Sequence, residues 1–163
     1  MDTNEWDAGI DAWYEANFDE TRPEASVTAM REFLAGHPAA GALASFELAG
    51  VHDSVGLETE AVPLYRQALA KGLDAVHAAR ARIQLASTLR NLGQLDEAIE
   101  LLSRPSGTGD DPARMAFLAL ALHSAGRHDE ALQQALQALI PSLQRYQRSL
   151  SGYAAELTSA STR

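Results

Sequence analysis

The octapeptide NLGQLDEA, residues 91–98, carries a helix stop and a helix start within eight positions, and the same grammar appears in SVGLETEA at 54–61 and SAGRHDEA at 124–131. The turn glycines Gly56, Gly93 and Gly126 are 37 and 33 residues apart, a period that belongs to arrays of helical hairpins. Three further columns keep step with them. Leu48, Leu85 and Leu118 stand eight residues before the glycine, Ala49, Ala86 and Ala119 seven before, and Ala61, Ala98 and Ala131 five after. Glycine takes the left-handed conformation that ends a helix without steric cost, so the first helix of each pair stops there. Thr59, Asp96 and Asp129 then fall where an N-cap oxygen is expected, and Glu60, Glu97 and Glu130 set a carboxylate against the positive end of the second helix. The paired alanines predict two helices whose backbones approach closely.

This order of small residue, turn glycine and small residue resembles the tetratricopeptide repeat, a unit of about 34 residues. The resemblance covers residues 42–141, and the phrases FELAGVHDSVGLETEAVPLYRQALAKGLD and LASTLRNLG resemble a bacterial branch of that family. It implies an all-α fold, antiparallel hairpins stacked as a right-handed α-solenoid. Two departures stand out: His52 replaces a large apolar residue four before the first turn glycine, and RPSGTGDDP at 104–112 cuts short the second helix of the middle repeat.

The ends are expected to close the array. WDAGIDAWYEANF and PEASVTAMREFLAG read as two helices of a degenerate first repeat over 1–41, with Asp19 to Arg22 as the turn, Pro23 at a helix start and Gly36 to Pro38 as a stop. Repeats over 42–77, 78–111 and 112–141 follow, then a capping helix over 142–158, all within one domain spanning 1–163. Leu136, Leu139, Leu143, Tyr146, Leu150, Tyr153 and Leu157 form an apolar seam at helical spacing, interrupted by Pro141, which either starts a separate helix or kinks a long one. Packing on the last hairpin accounts for the seam; a homodimer through the C-terminal helix is the alternative. No stretch alternates as a strand would.

Composition narrows the function classes. The 163 residues are 46% hydrophobic, enough for a core without staples, and contain no cysteine, so disulfides, thiolate metal sites and a cysteine nucleophile are excluded. The N-terminus MDTNEWDAGID is acidic and unlike a secretory signal, and the apolar run MAFLALAL is too short to span a bilayer. A cytoplasmic location and no membrane partner are therefore expected, and thirty-one alanines with twelve arginines against the single Lys71 fit a bacterial, GC-rich genome. Residues 1–60 carry a net charge of −11 and residues 61–163 a net +2, a balance that disfavours nucleic acid as a partner.

No catalytic, metal or cofactor signature emerges. His123 and His128 are separated by a turn rather than sharing one helix face. SGTGDD follows a helix and lacks a phosphate-loop lysine, so it reads as a linker, with Asp110 or Asp111 capping a helix that opens at Pro112. A non-catalytic scaffold that binds a protein or peptide in its concave groove is the expected function. At about 100° per residue, helices that bury Leu48, Ala49 and His52 turn Phe46, Glu47, Gly50, Asp53 and Ser54 toward that groove. The matching residues are Ile83, Gln84, Ser87, Arg90 and Asn91 in the next repeat and Ala116, Phe117, Leu120, His123 and Ser124 in the last. Asp53, Arg90 and His123 form a polar ladder three residues before each glycine, read either as a binding ladder or as an exposed Asp53–Arg90 ion pair. Arg80 and Arg90 are the groove-side cations. Some tetratricopeptide proteins grip a chaperone's terminal carboxylate with basic and amide side chains on this face; the matching positions here are mostly apolar or small, so that clamp is not implied. A basic segment meeting Glu47 and Asp53, or an acidic one meeting Arg80 and Arg90, are the two partner types. The remaining alternative is a small-molecule enzyme site around His52, Asp53, Arg90 and His123.

Overall fold

A computed structural model describes residues 3–104 and 111–159. Among these the chain is all-α: α1 Thr3–Asn17, α2 Pro23–Ala35, α3 Ala42–Ser54, α4 Glu58–Lys71, α5 Ala75–Asn91, α6 Leu95–Ser103, α7 Pro112–Ser124, α8 His128–Leu139 and α9 Gln147–Ser159. The helices form two compact units, residues 1–81 and 82–163.

The three hairpin turns share one hydrogen-bond scheme. Gly56, Gly93 and Gly126 have φ of 78°, 76° and 75°. Each donates its N–H to the carbonyl three residues back (Asp53, Arg90, His123), and the next residue donates to the carbonyl five back (His52, Leu89, Leu122), at 2.8–3.0 Å. This is the Schellman closure. The residue after the glycine then begins the second helix, because the carbonyls of Leu57, Gln94 and Arg127 accept from Ala61, Ala98 and Ala131. One residue thus ends one helix with its N–H and opens the next with its C=O. Thr59, Asp96 and Asp129 are therefore not the caps; the helices start earlier, at Glu58, Leu95 and His128, with no side-chain cap, and these polar residues lie inside the first turn.

The alanine columns do as the sequence predicts. Ala49 and Ala61 are wholly buried in the first hairpin, as are Ala86 and Ala98 in the second, and Ala119 and Ala131 are buried in the third. His52 is tolerated where a large apolar residue is usual because its ring Nδ1 donates to the Leu48 carbonyl at 2.6 Å, so the ring is buried with that nitrogen satisfied. The middle repeat's second helix is indeed short, ending at Ser103; Arg114 from α7 donates to the Leu102 carbonyl at 2.6 Å, supplying one of the donors that end needs. Asp111 caps α7, its carboxylate accepting from Ala113, with Pro112 in the first turn. Asp110 and the rest of SGTGDD up to that point lie outside the described residues.

In the first unit, α1 and α2 contribute Trp6, Ile10, Trp13, Val27 and Met30 to a core shared with Ala40 and Val51. Asp19 makes the turn between them, accepting from the Thr21 N–H, and Pro23 opens α2, which stops before Gly36. At the other end Pro141 neither kinks a long helix nor starts one. It sits in a 3-10 turn, Ile140–Ser142, after which Leu143 is extended and Tyr146 takes φ 70° before α9 begins.

Candidate functional site

In the first unit, the α3 face expected to line a groove is largely covered. Phe46 and Glu47 are core residues, which corrects their assignment as open groove lining. The physical reason at Glu47 and Gly50 is α1. Its Trp6 places the indole N–H 3.4 Å from a Glu47 carboxylate oxygen, and its Tyr14 brings the hydroxyl within 3.2 Å of where a side chain at Gly50 would begin. Gly50 therefore serves close packing rather than an open concavity. From α5, His77 meets the Phe46 ring edge-on at 5.9 Å and the Arg80 guanidinium lies over its face at 5.7 Å.

Burial dominates the electrostatics here. Glu47, 5% exposed, has its carboxyl pushed up to about 7 by loss of water and by the charge of Asp7; the Trp6 hydrogen bond, Arg80 and His77 oppose that rise without cancelling it. The Tyr14 and Tyr65 hydroxyls are pushed up by burial and by nearby carboxylates, Asp53 among them, toward which Tyr65 donates at 3.4 Å.

His77, wholly buried, ties this region together. Its Nε2 is 2.9 Å from Asp7 on α1, and its Nδ1 is 2.6 Å from Asp74, the residue just before α5. Carboxylates only accept, so both contacts are hydrogen bonds together when both ring nitrogens carry hydrogen. Asp74 also accepts from the backbone N–H groups of Val76 and His77 and caps α5. Asp7 additionally approaches Arg80 at 3.6 Å. An enclosed imidazole cannot meet a substrate, so the Asp–His–Asp chain is a tie between helices. Sequence reading missed it. The local half was visible, an Asp three residues ahead of a His at a helix start; the Asp7 half lies 70 residues away.

Asp53 is half-buried, and Ser54 and Arg80 are exposed. The second unit presents its face more openly. Gln84, Ser87, Arg90 and Phe117 are half-buried, while Asn91, Leu120 and His123 are exposed. Arg90 links the ends of α5 and α7, donating to Ser124 at 3.3 Å and to Asn91 at 3.0 Å. Its Nε, shielded from water, finds no acceptor among the described residues. His123 packs on His128 with ring centroids 4.8 Å apart, so the turn brings together two side chains that the sequence assigns to different faces. Among the described residues no three His, Asp or Glu side chains are grouped as metal ligands, and no helix is long and apolar enough to cross a membrane.

A thrice-repeated Schellman hairpin with alanine seams defines a helical-repeat protein. The family model described as "Tetratrico peptide repeat" matches residues 42–157, and the chain belongs to that family, a class of protein–protein interaction modules. No curated protein matches the chain.

Proposed function

We propose that this chain is a non-catalytic adaptor that binds an extended protein or peptide segment along the first-helix face of its second unit, with neither nucleic acid nor membrane as a partner. The supporting observation is Arg90: a half-buried guanidinium spans α5 and α7 through Ser124 and Asn91 and stands among exposed Asn91, Leu120 and His123. A carbonyl or carboxylate of a ligand can accept from the part of that guanidinium that meets water. Leu120 supplies an apolar contact beside it. This favours the acidic or carbonyl-presenting partner over the basic one, since Glu47 is enclosed and cannot meet a partner's cation.

A peptide array probed with the full chain tests the reading, with Arg90→Ala and Leu120→Asp variants alongside. Selected peptides are expected to carry Asp, Glu or a free C-terminus next to an apolar residue and to lose at least tenfold in affinity with either variant. Undiminished binding by both variants would show that Arg90 serves only the helix ends. The alternative of an enzyme site around His52 finds little support, because that ring is buried and already bonded to Leu48.

A further inference from the structure

The last hairpin keeps the residue types of the earlier ones but lacks their cover. Six residues after each turn glycine stand Val62, Ile99 and Leu132, an aliphatic column at one position of the second helix. Val62 and Ile99 are 7% and 9% exposed; Leu132 is 49% exposed. Same position, same chemistry, different burial: in α8 the stacking surface of the repeat is open.

Other large apolar side chains of α8 and of the segment after it are exposed as well. Leu139, two helical turns along α8, is 49% exposed, and beyond the 3-10 turn Tyr146 and Tyr153 are 77% and 64% exposed. The helix α9 does not use its tyrosine to pack. The face it buries centres on Ala154, with Thr158 receiving a hydrogen bond from Gln133 of α8 at 3.1 Å, while Leu150 and Leu157 are half-covered and Tyr153 points away. Because Ala154 allows close approach, the helix is rotated from the orientation that would hide its apolar stripe.

We propose that this face binds a second copy of the chain, α8 and α9 of one against α8 and α9 of the other about a two-fold axis. Three observations select that occupant. A column whose earlier members are buried within helical hairpins calls for a helical cover, and the end of another copy is one. Residues 131–144, ALQQALQALIPSLQ, contain no charged side chain, and Arg127 and Glu130 at the edge are paired with each other. Two-fold symmetry brings like groups of the two copies together, so the neutrality of the α8 half suits self-association in a chain of net charge −9, and the exposed Arg145 and Arg148 beside Tyr146 lie toward the other half of the face. Finally, the exposed fractions of Leu132, Leu139, Tyr146 and Tyr153 amount to roughly 500 Å² per copy, or about 1,000 Å² for a pair, the lower bound of a specific interface. A reversible dimer fits that size.

Sedimentation equilibrium of the full chain across a range from low micromolar to several hundred micromolar tests the proposal. The weight-average mass is expected to climb toward twice the chain mass with concentration. Leu139→Glu and Tyr153→Glu are each expected to hold it at the monomer value, with an unchanged circular dichroism spectrum and melting temperature. Arg90→Ala, on the groove face, leaves the association constant as it is, which separates this proposal from the groove reading. A wild-type chain that stays monomeric throughout, or a dimer indifferent to both glutamates, overturns it.

Discussion

The first helices α3 and α7 occupy the same place in the repeat, yet one face is sealed and the other open. At matching positions, Phe46 of α3 is core while Ala116 of α7 is exposed, and Glu47 is core where Phe117 is half-buried. Gly50, against Tyr14, corresponds to Leu120, half of which meets water. The repeat dictates the direction in which each side chain leaves its helix, and accessibility depends on what lies alongside. In the first unit the neighbours are α1, with two tryptophans in the core, and the start of α5, whose His77 and Arg80 lie on Phe46.

The comparison can be broken at several points. Trp6→Ala removes a buried indole and strips Glu47 of its donor; a loss of about 3 to 5 kcal/mol in urea unfolding followed by circular dichroism is expected. A loss below 1 kcal/mol would mean that α1 does not hold the sealed face.

Next in size is a pH effect confined to that face. The Glu47 carboxyl titrates near 7 in the folded chain and near 4.5 when unfolded, so the folded state holds the proton more tightly. Its neutral form gives full stability below pH 4.5, and that contribution is lost as pH rises through about 7. Glu47→Gln stays neutral throughout. It is expected to exceed wild type by roughly 2 to 3 kcal/mol at pH 8, with the gap closing below pH 5. Parallel stability curves for the two proteins from pH 4 to 8 would contradict this.

Smaller effects sharpen the contrast by showing what the two units share. Gly56→Ala and Gly126→Ala, one in each unit, meet no neighbour but force a positive φ, and each should cost about 1 to 2 kcal/mol. A twofold difference between them in thermal unfolding would show that the turns are not equivalent. Leu120→Ala on the open face should change stability by less than about 0.5 kcal/mol while weakening peptide capture.

The hairpins were legible in the sequence because each is closed by residues within a dozen positions of one another: a glycine that must turn left and alanines that must meet. Placing the caps at Thr59, Asp96 and Asp129 missed because side-chain capping was assumed where a backbone group serves. The groove assignments separated along the same line. Helical angle finds the side of α3 on which Glu47 and Phe46 lie, but their enclosure depends on Trp6, some forty residues earlier, and on His77 and Arg80, some thirty later. The α9 seam shows a different limit, since its apolar stripe was plain while the packing advantage of one small residue, Ala154, was not.

The shared residue in each hairpin turn has a consequence for how the chain can be altered. Leu57, Gln94 and Arg127 each belong to two helices at once, so one amino acid inserted after the glycine would put both out of step. Between α4 and α5 no such double duty exists: α4 ends at its own left-handed Gly72, and Asp74 caps α5. Engineers wishing to lengthen, tag or splice this protein should cut at the joint between Gly72 and Asp74 and leave the bends alone.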